Sequence, residues 1–237
     1  MDVLYFLKQR TSFIRTLYEG AVASFEDRIR RIEAEVEPFV PPHSEDGEPA
    51  FLSEWIEADE CRDVIGHACL SLLTASLHLF LHTWDKQLNM NCGARNKKDF
   101  AQRGWINGYR SCFRETLNIQ WENSPCDLSF LEGLVLARNR IQHPDSIHTV
   151  RAKYSRQDFA KLGRRLFFTG SGETDLPDEV DEGEFTWILA PNIQVTLETL
   201  MQAVDEVETF CTWLDAEIAD PLSGGRHSCA LVYKPAG

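Results

Sequence analysis

From Leu4 to Ile32, apolar side chains recur at three- and four-residue spacing: Leu4, Phe6, Leu7, Phe13, Ile14, Leu17, Ala21, Phe25, Ile29 and Ile32. That spacing puts them on one face of a helix and fits no strand, whose faces alternate every two residues. The same period recurs after a loop over 38–53, which holds Pro38, Pro41, Pro42, Gly47 and Pro49. It runs from Ser53 to about Leu88, from about Asp99 to Leu117, from Cys126 or Asp127 to His143, and from Ile193 to about Ile218. Pro144 sets the end of the fourth segment, because the residue before a proline is pushed out of the helical region. A mainly α fold is predicted, one domain over 1–237. A small insertion at 145–192, basic and then acidic, interrupts it. Arg164–Phe168 and Phe185–Leu189 read there as short strands of a β-hairpin, and 221–237 reads as a tail.

With 43% of 237 residues hydrophobic, the chain can bury a core without metal or disulfide staples. The first ten residues mix Asp2, Lys8 and Arg10 into the apolar pattern and do not resemble a signal peptide. No uninterrupted apolar run reaches the roughly 18 residues of a membrane span. Seven cysteines, with no Cys-x-x-Cys pair, suggest core hydrophobes rather than a disulfide framework or a zinc ribbon. The expectation is a cytoplasmic protein, with no membrane among its partners and no cofactor.

The formal charge of −13 argues against a protein that coats nucleic acid along its whole surface. Its distribution is uneven. Residues 95–165 hold 14 of the 24 Lys and Arg against 7 Asp and Glu, a balance of +7, and the remainder of the chain sums to −20. A basic middle in an acidic chain suggests a local anion site.

Inside that middle lies Leu131-Glu132-Gly133-Leu134-Val135-Leu136-Ala137-Arg138-Asn139-Arg140-Ile141-Gln142-His143-Pro144. Arg138 continues the stripe of Leu131, Leu134 and Val135, so its charge needs an anion or a carboxylate. Asn139 and His143 lie four residues apart, on one face beside it. A fixed cation, an amide and a group titrating near neutrality share one patch. Those parts suit metal-free RNA cleavage. A histidine can take the 2′-hydroxyl proton or give one to the leaving 5′-oxygen, and an arginine can stabilise the charge on the phosphorane. The plain alternative is structural: Arg138 pairs with an acid such as Glu132, and His143 only closes the helix.

Arg138-Asn139-x-x-x-His143, late in a helix after an apolar run, resembles the signature of the HEPN superfamily. The likeness covers about residues 54–143 and the last helix. It implies a dimerising helical bundle, in many members a metal-independent endoribonuclease of toxin–antitoxin or anti-phage systems. Arg138 and His143 would then act at the dimer cleft, with Asn139 orienting them. The implied partners are a second copy, RNA, and an antitoxin or regulatory protein. Some members are non-catalytic RNA- or protein-binding scaffolds, which is the alternative reading. In members silenced by nucleotidylation a Tyr follows two residues after the His; Asp145 stands there in this chain, so the likeness does not extend to that control.

Around the motif, Arg110, Arg114, Arg140, Arg151, Lys153 and Arg156 are candidate RNA contacts. Trp105, Tyr109 and Tyr154 lie among them as stacking surfaces. His67, His78 and His82 share a helix face but lack the Glu of a His-Glu-x-x-His metal motif, so no metal site is assigned, and a polar packing seam is the expectation. Residues 173–184 carry seven acids and no base, and could lie over the basic middle in place of RNA phosphates.

Overall fold

The computed structural model describes residues 2–42, 49–144, 146, 148, 151–155, 157, 158, 161, 166–169 and 191–219. Among them are seven α-helices: α1 (Val3–Glu33), α2 (Leu52–Gln87), α3 (Cys92–Arg95), α4 (Lys97–Arg103), α5 (Trp105–Leu117), α6 (Leu128–Gln142) and α7 (Leu197–Ala219). A 3₁₀ turn at Trp121–Asn123 joins α5 to α6. The mainly α expectation holds. α1 begins where the Asp2 carboxylate accepts the Tyr5 N–H at 2.8 Å, a helix cap formed in the sequence itself. It stops at Glu33, before Pro38, with Glu35 in the left-handed region at φ 52°.

The long helices form a bundle around α2. α1 runs antiparallel to it: Arg10 meets Ser76 at one end, and Arg28 meets Glu57 at the other. α7 is antiparallel to α1, with Thr11 donating to Glu208 and Arg15 paired with Asp205 at 2.6 Å. Leu70, Leu73, Leu77 and Leu81 of α2, Leu131 and Leu134 of α6, and Leu200, Val204 and Phe210 of α7 are wholly buried. Each such side chain contributes about 1.5–3 kcal/mol relative to exposure. Trp121 packs edge-on to Phe210 at 4.7 Å and closes the bundle beneath the 3₁₀ turn.

Among the described residues, α2 is long and apolar enough to cross a membrane by length and composition, with half of the apolar window buried in the bundle. This qualifies the expectation that no membrane-length apolar stretch exists. A core helix packed on three sides meets the same criterion.

The expected helix from Asp99 to Leu117 is two helices. Gly104 breaks it at φ 84°, ψ 166°, a backbone state closed to residues with a Cβ. Cys92 and Cys112 also depart from expectation: both are fully buried and are joined as a disulfide tying α3 to α5. Cys69 and Cys211 are buried free thiols and Cys61 and Cys126 half-buried ones; Cys229 lies outside the described residues.

In the insertion, the described β structure is one antiparallel bridge, Lys153 to Asn192. Leu166–Phe168 are not a strand among the described residues. Phe167 and Phe168 instead turn onto Phe130 of α6, at 4.7 and 5.6 Å between ring centres. Phe185–Leu189, the acidic stretch 173–184, Arg156 and the tail lie outside the described residues.

Candidate functional site

α6 carries the motif, and its ends form as its sequence directs. Asp127 caps the first turn by accepting the Ser129 N–H at 2.9 Å. His143 is the C-terminal cap, its backbone N–H donating to the Asn139 carbonyl at 3.1 Å and its side chain exposed. Leu131, Leu134 and Val135 are buried, and Arg138, next on their stripe, is half-buried.

Arg138 has no ion-pair partner among the described residues. Glu132 lies 3.6 Å from Arg110 instead. One Arg138 terminal nitrogen donates to Asn139 Oδ1 at 2.9 Å, and its Nε–H is buried with no acceptor. A cation held by a neutral amide keeps its charge available to an incoming anion, which a carboxylate partner would neutralise.

Behind Arg138 stand two histidines of α2. The His78 and His82 rings are nearly parallel, 6.1 Å apart. Trp105 meets His78 edge-on at 4.9 Å, and the Tyr109 hydroxyl is 3.3 Å from His82 Nδ1. Burial lowers the His78 pKa, and the neighbouring His82 and Arg138 charges lower it further. Burial pushes Tyr109 up to about 12, so its hydroxyl stays protonated. His67 does not join them; its Nε2 bonds the Ile193 carbonyl at 2.8 Å. Among the described residues no group of three or more His, Cys, Asp or Glu converges to hold a metal ion. Of the three histidines expected to form a packing seam, His78 and His82 do so beside the motif arginine, and His67 stands apart.

The other candidate contacts divide. Arg140 gives Nε to Asp158 at 2.7 Å and a terminal nitrogen to the same carboxylate at 3.1 Å and to the Ser155 hydroxyl. Arg151 is held by Asp59 at 2.6 Å, with Asp63 at 3.9 Å. Asp63 has a raised pKa, first from burial and then from Asp59 beside it. Arg110 pairs with Glu122 at 2.9 Å. Arg114 and Lys153 are exposed.

No protein-family model, curated protein or solved structure matches the chain. The functional reading therefore stands on its own residues.

Asn139 lines a cleft of about 540 Å³ between α4, α5 and α6. Arg103, Asn107, Glu132 and Lys161 reach into it. Arg103 and Lys161 fall within the basic middle over 95–165, but the sequence does not mark Asn107 as a site residue. Nor does it mark Asp59, Asp63 and Asp158, which hold the arginines. A buried acid inside an apolar helical stretch, as at Asp59 and Asp63 of α2, is the signal that could have found them.

Proposed function

We propose that this chain is a homodimeric, metal-independent endoribonuclease of the HEPN type, a cytoplasmic toxin or anti-phage effector. The observation that supports this most is the state of Arg138: half-buried, without a carboxylate partner among the described residues, and held by Asn139 on the helix that ends at His143. In this reading a base removes the 2′-hydroxyl proton, and the 2′-oxygen attacks phosphorus. Arg138 bears the charge gathered on the non-bridging oxygens, and the 5′-oxygen leaves with a proton from an acid. His143 fills one of the two proton-transfer roles, and its mate across a two-fold axis fills the other, since an isologous contact brings identical patches together. The products end in 2′,3′-cyclic phosphate and begin with 5′-hydroxyl.

The test is incubation of purified protein with total RNA in EDTA. Cleavage is expected, and DNA, lacking the nucleophile, is refused. His143→Ala loses about 10²–10⁴-fold, and Arg138→Ala about 10²–10³-fold if it acts as a single oxyanion donor does. Light scattering should give a dimer at micromolar concentration. Activity that persists in His143→Ala, or a monomer that cleaves, defeats the reading.

A second reading, a non-catalytic RNA- or protein-binding scaffold, is favoured by one observation. Arg110, Arg140 and Arg151 are each held by carboxylates of their own chain, which removes three cations from any phosphate-binding surface. No cleavage products at long times, with no RNA retained by the protein, selects its protein-binding form.

A further inference from the structure

Three arginines of the basic middle are neutralised within the chain, but two cations at the α4–α6 cleft have no such partner among the described residues. Arg103, at the end of α4, and Lys161 are both exposed, and neither has a carboxylate partner among the described residues. They come from different segments and reach the same cavity. Its floor includes Ile106 of α5 and Val135 of α6, both buried apolar residues. Its remaining polar groups are Asn107, Glu132 and the motif residue Asn139. Glu132 is about one-third exposed and spends only one contact, at 3.6 Å, on Arg110, so its carboxylate retains free lone pairs.

We infer that this cleft is a nucleotide subsite, in which Arg103 and Lys161 bind a phosphate and Glu132 reads a base edge rich in donors, guanine first. The size fits: 540 Å³ lies within the roughly 300–1,000 Å³ that holds one small ligand. The chemistry fits as well. Two unpaired cations suit a phosphate monoester or diester. An apolar floor accepts a base face. A carboxylate accepts two adjacent N–H donors, which guanine presents at N1 and N2; uracil presents a single imino N–H. Asn139 touches the cleft on one side and the Arg138 guanidinium on the other, so a nucleotide seated there lies directly beside the motif. The inference rests on the RNA-cleaving reading of α6 for its purpose. The binding itself is measured without cleavage.

The experiment is calorimetric titration of the full chain with guanosine, adenosine, cytidine and uridine 3′-monophosphates. Saturable binding is expected, tightest for guanosine 3′-monophosphate by at least tenfold over the uridine nucleotide. Ala101→Trp, which places an indole in the cleft from an exposed position of α4, should abolish it. The Arg103→Ala/Lys161→Ala double variant should weaken all four nucleotides at least tenfold and flatten the salt dependence. Glu132→Gln should erase the guanine preference while leaving the phosphate-dependent part intact. Circular dichroism confirms that each variant is folded. No saturable binding to the wild-type chain overturns the inference, as does binding that Ala101→Trp leaves unchanged. A preference for guanine that survives Glu132→Gln overturns the assigned role of that residue. Nucleotide binding without RNA cleavage would sink the endoribonuclease reading and leave the subsite standing. Cleavage indifferent to Ala101→Trp, with no nucleotide binding, would do the reverse.

Discussion

Arg140→Ala separates a structural arginine from an RNA-binding one. Asp158 is 1% exposed and accepts the Arg140 Nε–H at 2.7 Å, a terminal N–H at 3.1 Å and the Ser155 backbone N–H at 2.6 Å. Removing the guanidinium leaves a buried carboxylate with one donor. Breaking a fully buried pair from one side costs about 3–5 kcal/mol. Arg140 is 28% exposed, and solvent reaching its side of the pair reduces this to about 2–3 kcal/mol. For a chain of this size that is a fall in Tm of roughly 5–10 °C. Differential scanning calorimetry of Arg140→Ala, Asp158→Asn and the double variant gives the coupling directly. The double variant should recover part of the sum of the single losses, since the stranded charge is then gone. Additive effects, or a Tm within about 1 °C of wild type for Arg140→Ala, would refute the reasoning. A large loss of RNA affinity at unchanged stability would return Arg140 to the RNA-binding surface.

Three further outcomes are expected. Gly66→Ala places a Cβ 2.7 Å from the Val195 carbonyl oxygen; backbone cannot swing aside, so a loss of about 1–3 kcal/mol should appear in urea unfolding. Cys112→Ser removes the link to Cys92, 20 residues away, for a loss near 3 kcal/mol in the chain-entropy account; dithiothreitol should lower the wild-type urea midpoint and leave the variant's unmoved. His78 has its pKa lowered in the folded state from 6.5, so below pH 6.5 the unfolded chain takes up the proton first. Stability should therefore fall as pH drops from 6.5 toward the folded value, and His78→Gln should flatten that limb of a stability–pH curve.

How much was legible in the sequence depends on the range of each signal. Asp127 and Pro144 bracket α6 through contacts within a few residues, and the structure places the ends of α6 beside both. The stripe ending at Arg138 was equally local. The partners of the arginines were not. Asp158 lies 18 residues beyond Arg140, and Asp59 lies 92 before Arg151, and no spacing rule joins them. Cys92 and Cys112 meet because α3 folds back on α5, a tertiary event with no trace in their spacing. Gly104 looked tolerable within a helical pattern, where a lone glycine costs only about 1 kcal/mol. Its positive φ arises because α4 and α5 take different directions. The run Leu166–Phe168 has strand-like composition, but Phe167 and Phe168 pack their rings against Phe130. Packing of Phe167 and Phe168 on Phe130, together with one backbone bond from the Gln194 N–H to the Phe168 carbonyl at 3.4 Å, holds them.

The bond from Arg140 to Asp158 has a consequence for chain length. It pins two points 18 residues apart, and His143 lies on the span between them. Closing such a span costs free energy that grows only with the logarithm of its length, about 0.6 kcal/mol for each doubling. Doubling that span by an insertion after His143 would thus weaken the fold by less than the loss of one ordinary hydrogen bond. Length can thus be added between His143 and Arg151 at small cost, while Arg151, Tyr154 and Ser155 on the same span stay fixed by Asp59, by burial and by Arg140. An insertion there leaves the helices before His143 and the Arg140–Asp158 bond in place.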